Sequence, residues 1–212
     1  MAEPALPARR AVSVRLRGGT VGGEISYLRT GSGSPLVLIH GVGMNATIWQ
    51  PQIAALAARF DVIAMDMPGH GGSLLPPAGA TLDDYSDAVI GLLDGLGILQ
   101  AALVGHSMGA LVATHTALCH PSRVLRLVAM NAVFRRPPEL RRAVQARAAE
   151  LEERGFAASI APTLARWFGR CAAGGGCGRL SPHLSAVRNL RRGARAHAPD
   201  AERAGAVHHR RA

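Results

Sequence analysis

Lysine is absent from this chain of 212 residues, and all 24 basic side chains are arginine. With abundant alanine and glycine, that bias reads first as the codon footprint of a GC-rich gene and only second as physics. Aromatic residues are scarce, at 4%, which removes the interleaved stacking platforms of a single-stranded nucleic-acid binder. There are only three cysteines, Cys119, Cys171 and Cys177. An odd number so placed makes no disulfide framework, and the cytoplasm is the default location. No uncharged apolar run approaches the length of about 18 residues needed to cross a bilayer, so no membrane partner is expected. Arg9-Arg10 resembles the basic start of an export signal, but Arg15 and Arg17 break up the next residues before an apolar stretch can form.

The chain does hold enough apolar material, 48% of its residues, for one domain with a real core. The net charge of +10 is uneven: eight of the arginines but only two of the 14 acids fall after residue 170. The basic character belongs mostly to the tail.

From residue 12 to 131 strand and helix signals alternate. Val12–Leu16 and Glu24–Arg29 alternate apolar and polar residues around glycine pairs, as an antiparallel pair does. Leu36–His40, Asp61–Met65, Ala101–Val104 and Val124–Met130 are short apolar runs, the pattern of parallel strands buried on both faces. Between them, Thr47–Phe60 has helical spacing. A second helix follows Thr81, an N-cap with Asp83, Asp84 and Asp87 in the early turns. A third runs from Ala110 to about Leu118. The implied fold class is α/β, a mostly parallel sheet with helices on both faces and right-handed crossovers.

Gly105-His106-Ser107-Met108-Gly109 stands where the 101–104 strand gives way to a helix. G-x-S-x-G at such a junction is a nucleophile elbow: a turn so sharp that glycine is needed on both sides of an exposed serine hydroxyl. Two further glycine-bearing loops come after strands: His40-Gly41-Val42-Gly43-Met44, and Asp66-Met67-Pro68-Gly69-His70-Gly71-Gly72-Ser73. All three fall at the carboxyl ends of strands, where ligands gather in open α/β sheets.

On these three motifs, in this order, the chain from about Val12 to Gly169 resembles the α/β-hydrolase family. Its first half is most similar to the enol-lactonase and carboxylesterase branch. The resemblance implies serine hydrolysis of a small ester, lactone or related carbonyl compound through an acyl-enzyme at Ser107, with no cofactor. It implies an oxyanion hole from the backbone N–H groups of Val42 and Met108. His40, Gly41, Gly105, His106 and Gly109 would support the loop and elbow, with His40 bonding loop backbone rather than acting as base. Asp66 and His70 are expected to pin their own turn, and His115 and His120 to serve surface or packing roles. Serine at position 107 argues against reactions needing a carboxylate nucleophile; C–C bond hydrolysis and cofactor-free haloperoxidation stay open.

The expected organisation is an N-terminal extension (1–11), a partial core (12–134), the start of a helical cap (135–170) and a basic tail (171–212). In the cap region, 139–154 and 159–168 carry helical patterns. The fold's triad acid should come after a late strand and its histidine after a later one, yet the sixth strand ends at Asn131. The tail holds five large aliphatics and no aromatic, a composition that predicts disorder or an out-of-frame segment, with the last strands missing. Asp200 and His208 have the order of acid and base and nothing more. Cys171, Cys177 and His183 match no zinc spacing, and no metal is expected.

Two readings stand beside an active hydrolase. One is a truncated or frameshifted hydrolase lacking its triad acid and histidine. The other is a hydrolase-fold protein that has exchanged catalysis for a basic binding arm, against which the missing aromatics count. The oligomeric state is not legible.

Overall fold

In the computed structural model the described residues are 5–168, apart from 17, 18, 20 and 134; the side chains of 151, 152 and 156–168 are also not described. The expected tail, with Asp200 and His208, lies outside these residues, as does the question of further strands.

Six strands form one sheet: β1 (Arg9–Leu16), β2 (Val21–Thr30), β3 (Ser34–Ile39), β4 (Phe60–Met65), β5 (Ala101–His106) and β6 (Val124–Met130). Their spatial order is β1-β2-β4-β3-β5-β6. β1 pairs antiparallel with β2, and β2 antiparallel with β4; the β4-β3-β5-β6 block is parallel. The fold is therefore α/β with a mostly parallel sheet, as the alternating pattern predicts.

The continuous apolar runs are explained by two cores. Successive residues of a strand point to opposite faces, and here each face is covered. Val37, Ile39, Ile63, Met65 and Leu103 join Val89, Leu92 and Leu93 of α2 (Leu82–Gly95) and Val112 of α3 (Met108–Cys119). Leu36, Leu38, Val62 and Ala64 pack with Trp49 and Ile53 of α1 (Gln50–Leu56) and the turn before it. At about 25 cal/mol per Å² of apolar surface, such two-sided burial is the main stabilising term.

Helix α2 begins as the sequence implies. The Thr81 hydroxyl accepts from Asp83 N–H (3.3 Å) and the Asp84 carboxylate from Thr81 N–H (2.8 Å), a capping box. The single helix expected over 47–60 is corrected. Ala46–Trp49 is a 3-10 turn capped by Asn45, α1 covers only Gln50–Leu56, and Phe60 already opens β4. Pro51 gives the reason. Lacking an N–H, it is tolerated only in a first helical turn, so the helix starts at residue 50.

β6 is unlike the other parallel strands. Val124 packs on the core, but Leu125 (53% exposed), Leu127, Val128 and Met130 are open to solvent. Among the described residues β6 pairs on one side only, with β5.

The described residues from Val133 to Phe168 belong to a second compact unit. Within it α4 (Pro138–Phe168) is one run broken at Gly155, whose φ of 73° is not helical. The two helical patterns read from the sequence fall on either side of that break.

Candidate active site

The sheet's connectivity locates a crevice before any side chain is considered. From β3 the chain moves outward through α1 to β4, then crosses back through α2 to β5 on the other side of β3. Strand order thus reverses between β3 and β5, and the loops leaving their carboxyl ends diverge to opposite faces, as at ligand sites of open α/β sheets. Those loops are His40–Asn45 and the turn at Ser107.

Ser107 sits on the strand-to-helix turn at φ 55°, ψ −114°. A non-glycine residue there stores on the order of 1–3 kcal/mol, and the surroundings must hold it. They do so through backbone. Ser107 N–H donates to Met130 O of β6 (2.9 Å), and its carbonyl accepts from Ala110 N–H (3.1 Å) as α3 begins. The flanking glycines are required by contact: a Cβ on Gly105 would stand 2.1 Å from Gly109 O, and one on Gly109 would stand 2.3 Å from Ile39 O. Neither distance accommodates a methyl group. The helix start is pressed against β3 and β5, leaving Ser107 half-buried at the crevice.

Gly41 meets Ser107 across this crevice. A Cβ on Gly41 would lie 3.2 Å from both Ser107 Cβ and His106 Nδ1, so the β3 loop and the elbow touch. Val42, next in the loop, is 57% exposed. Among the described residues its N–H meets no acceptor. Met108 opens α3, where the first N–H groups have no intrahelical partner.

A polar scaffold fixes the loop. His40 is fully buried; its Nε2 accepts Met67 N–H (3.0 Å), so Nδ1 carries the proton and donates to Gly41 O (2.7 Å). Burial drives its pKa down to about 4, with His70 and Arg9 acting in the same direction against the Gly41 carbonyl and Asp66. His70 repeats the arrangement: Nε2 accepts Gly43 N–H (3.1 Å), Nδ1 donates to Pro68 O (3.1 Å), and burial lowers its pKa. The two rings meet edge to face at 5.1 Å. Both imidazoles are neutral and engaged at both nitrogens with backbone, so neither is free to take a proton from Ser107.

Asp66 reaches beyond the turn the sequence assigns it. Its buried carboxylate accepts from Ala46 N–H (2.7 Å) and Gly72 N–H (2.9 Å) and pairs with Arg9. Both residues pin their own turn as expected, through Gly72 N–H and Pro68 O, and in addition tie the loop after β4 to the loop after β3. Arg9, half of a leader-like pair in the sequence, is instead the first residue of β1 and an ion-pair partner. Local reading misses it because its partner is 57 residues away.

His106 Nε2 lies 3.3 Å from Asn131 Nδ2, and Asn131 has a φ of 51°. Among the described residues the Ser107 hydroxyl has no hydrogen bond, and no acid or histidine approaches it as a triad partner would.

Comparison with known proteins agrees with this geometry. Residues 34–165 match the family model described as alpha/beta hydrolase fold. Over 144 residues the chain is 42% identical to (E)-2-((N-methylformamido)methylene)succinate hydrolase of Acinetobacter baylyi, covering 68% of this chain and 54% of that one. Among solved structures, E-2-(acetamidomethylene)succinate hydrolase superposes with a TM-score of 0.56 at 33% identity, over 65% of this chain and 51% of the other. A thermophilic esterase of Thermogutta terrifontis covers 86% of this chain and 65% of its own at a TM-score of 0.70; at 24% identity it speaks for the fold alone. The chain spans about half the length of the curated relatives it matches. A reversing α/β sheet, a strained serine between two glycines and a family model matched over most of the chain converge: the protein belongs to the alpha/beta hydrolase fold family.

Proposed function

We propose that the protein is a serine hydrolase of small carbonyl compounds, with Ser107 as the nucleophile that forms an acyl-enzyme. The observation carrying this reading is Ser107 itself, held at φ 55° on the turn between β5 and α3 and facing Gly41 across the switch point. Strain of this kind persists where surrounding structure over-determines it, and it clusters at functional sites. The N–H groups of Val42 and Met108 are the proposed oxyanion donors. They are backbone groups on a loop pinned by His40 and His70 and on a helix start, so little reorganisation accompanies charge development.

Hydrolysis then needs a base to accept the Ser107 proton and an acid to hold that base. His40 and His70 are committed to backbone, which leaves both roles to residues outside those described; Asp200 and His208 are the candidates there. The proposed substrate carries its carbonyl as an ester, a lactone or an acylated nitrogen. Two of the proteins it resembles are named as hydrolases of amidomethylene succinates, which favours the acylated nitrogen and puts N-acyl enamines beside p-nitrophenyl esters in the assay.

A fluorophosphonate probe followed by peptide mass spectrometry tests the nucleophile. Label on Ser107, lost in Ser107→Ala, is the expected result. Label elsewhere, or label and turnover surviving Ser107→Ala, would overturn it. If Asp200 and His208 complete the triad, His208→Ala abolishes labelling as well. If the chain as it stands is catalytically incomplete, it shows neither labelling nor turnover until a longer C-terminus is supplied.

A further inference from the structure

Away from the elbow, α2 and α3 bring together three metal-ligating side chains that the hydrolytic reading does not use. Asp83 stands in the first turn of α2; His115 and Cys119 lie four residues apart near the end of α3, hence on one face. Their ligand atoms all fall within 4.8 Å of one another. His115 Nε2 is 2.7 Å from Asp83 Oδ1 and 3.5 Å from Cys119 Sγ.

The geometry first excludes a relay. In an acid–imidazole–nucleophile chain the acid and nucleophile hold opposite ring nitrogens. Here carboxylate and thiol both address Nε2, so the three donors converge on one point instead of forming a line. Convergence of oxygen, nitrogen and sulfur is the requirement for a metal centre. The mixture selects a borderline divalent ion such as zinc, since magnesium and calcium take oxygen alone.

Bond lengths of about 2.0–2.1 Å to nitrogen and oxygen and 2.3 Å to sulfur place neighbouring donors of a tetrahedral zinc roughly 3.3–3.6 Å apart. Sulfur and Nε2 already have that separation. Asp83 must withdraw from Nε2 by about 0.6 Å and stand about 3.5 Å from Sγ, which lies within 4.8 Å of it, exchanging a hydrogen bond for metal bonds; its side chain is 78% exposed and free to move. The end of α3 also carries the partial negative charge of a helix C-terminus, which favours a cation.

We propose that Asp83, His115 and Cys119 form a three-ligand zinc site, completed by water, that clamps the start of α2 to the end of α3. Ser107 precedes α3 and Cys119 ends it, about 18 Å along the helix axis at 1.5 Å per residue. Set that far from Ser107, the site takes no part in acyl transfer.

Cobalt(II) titration of the full chain tests this, because thiolate ligation gives a near-ultraviolet charge-transfer band that zinc then abolishes. Cys171 and Cys177 also carry thiols, so the Cys171→Ser/Cys177→Ser chain is the reference. The band is expected in the reference and lost when Cys119→Ser is added. His115→Ala and Asp83→Asn each weaken zinc binding by at least about tenfold. A band that survives Cys119→Ser, or is missing from the reference, overturns the site. A second measurement needs no variant: zinc slows alkylation of Cys119, read by mass spectrometry, by at least about tenfold, and an unchanged rate refutes the proposal.

Discussion

Lowering the pH from 7 to 5 should cost the fold about 2 kcal/mol through His40 alone. Its ring is buried, with Nε2 occupied by Met67 N–H, so the second proton that a free histidine takes up near 6.5 is refused down to about pH 4. Between those values the unfolded chain binds more protons than the native one. Stability therefore rises with pH in that window: the contribution is complete above 6.5 and is lost as the pH falls through 4. At 1.36 kcal/mol for each unit, the stretch from 6.5 to 5 accounts for about 2 kcal/mol. His70, also lowered by burial, adds in the same direction. Urea unfolding at pH 7, 6 and 5 measures the slope, and His40→Gln isolates the residue. Glutamine can accept from Met67 N–H and donate to Gly41 O without titrating, so its slope should be shallower by the same 2 kcal/mol. Equal slopes would refute the argument. So would a His40 ring that titrates by NMR near pH 6.5.

Substitutions at four positions test the rest of the geometry. Gly109→Ala places a methyl group against Ile39 O and His40 O; thermal melting should show a loss of at least about 2 kcal/mol, with reduced labelling of Ser107, and a neutral result would mean that α3 is not pressed against β3. Ser107→Gly should be more stable than Ser107→Ala by about 1 kcal/mol, because glycine relieves the positive φ that alanine keeps; the reverse order in urea would remove the claim of strain. Asp66→Ala leaves Ala46 N–H and Gly72 N–H without their acceptor and should cost about 3–5 kcal/mol by denaturant titration. Arg9→Ala should cost less, since that side chain is partly solvated.

The sheet is legible in the sequence because Leu36–Ile39, Phe60–Met65 and Ala101–Val104 bury both faces, and continuous apolar runs of that length have few other uses. The position of the elbow is legible because two glycines at fixed spacing mark where backbone must approach backbone. Local patterns hide everything settled by partners far along the chain. Nothing near Arg9 announces Asp66, and nothing in the turn after β4 announces that His70 will reach Gly43. Asp83 reads locally as a helix-start acid and His115 as a surface residue, and each reading is sound as far as it goes. The packing of α2 on α3 joins them across 32 residues. The helix expected over 47–60 fails for a different reason: its apolar spacing is real, but Pro51 separates the 3-10 turn capped by Asn45 from α1, and Phe60 already belongs to β4.

The bond from Ser107 N–H to Met130 O couples the elbow to the least shielded strand described. Strands bordered on one side open at lower free energy than those in the middle of a sheet. Every excursion of the β6 end releases the serine's amide and one of the restraints that keep its dihedrals in an unfavourable well. Hydrogen exchange at Ser107 should therefore track exchange along β6 and not that of β3, its neighbour across the crevice. The stiffness of Ser107 would then be set along β6, and whatever lies along Leu125–Met130 would tune it without touching the crevice.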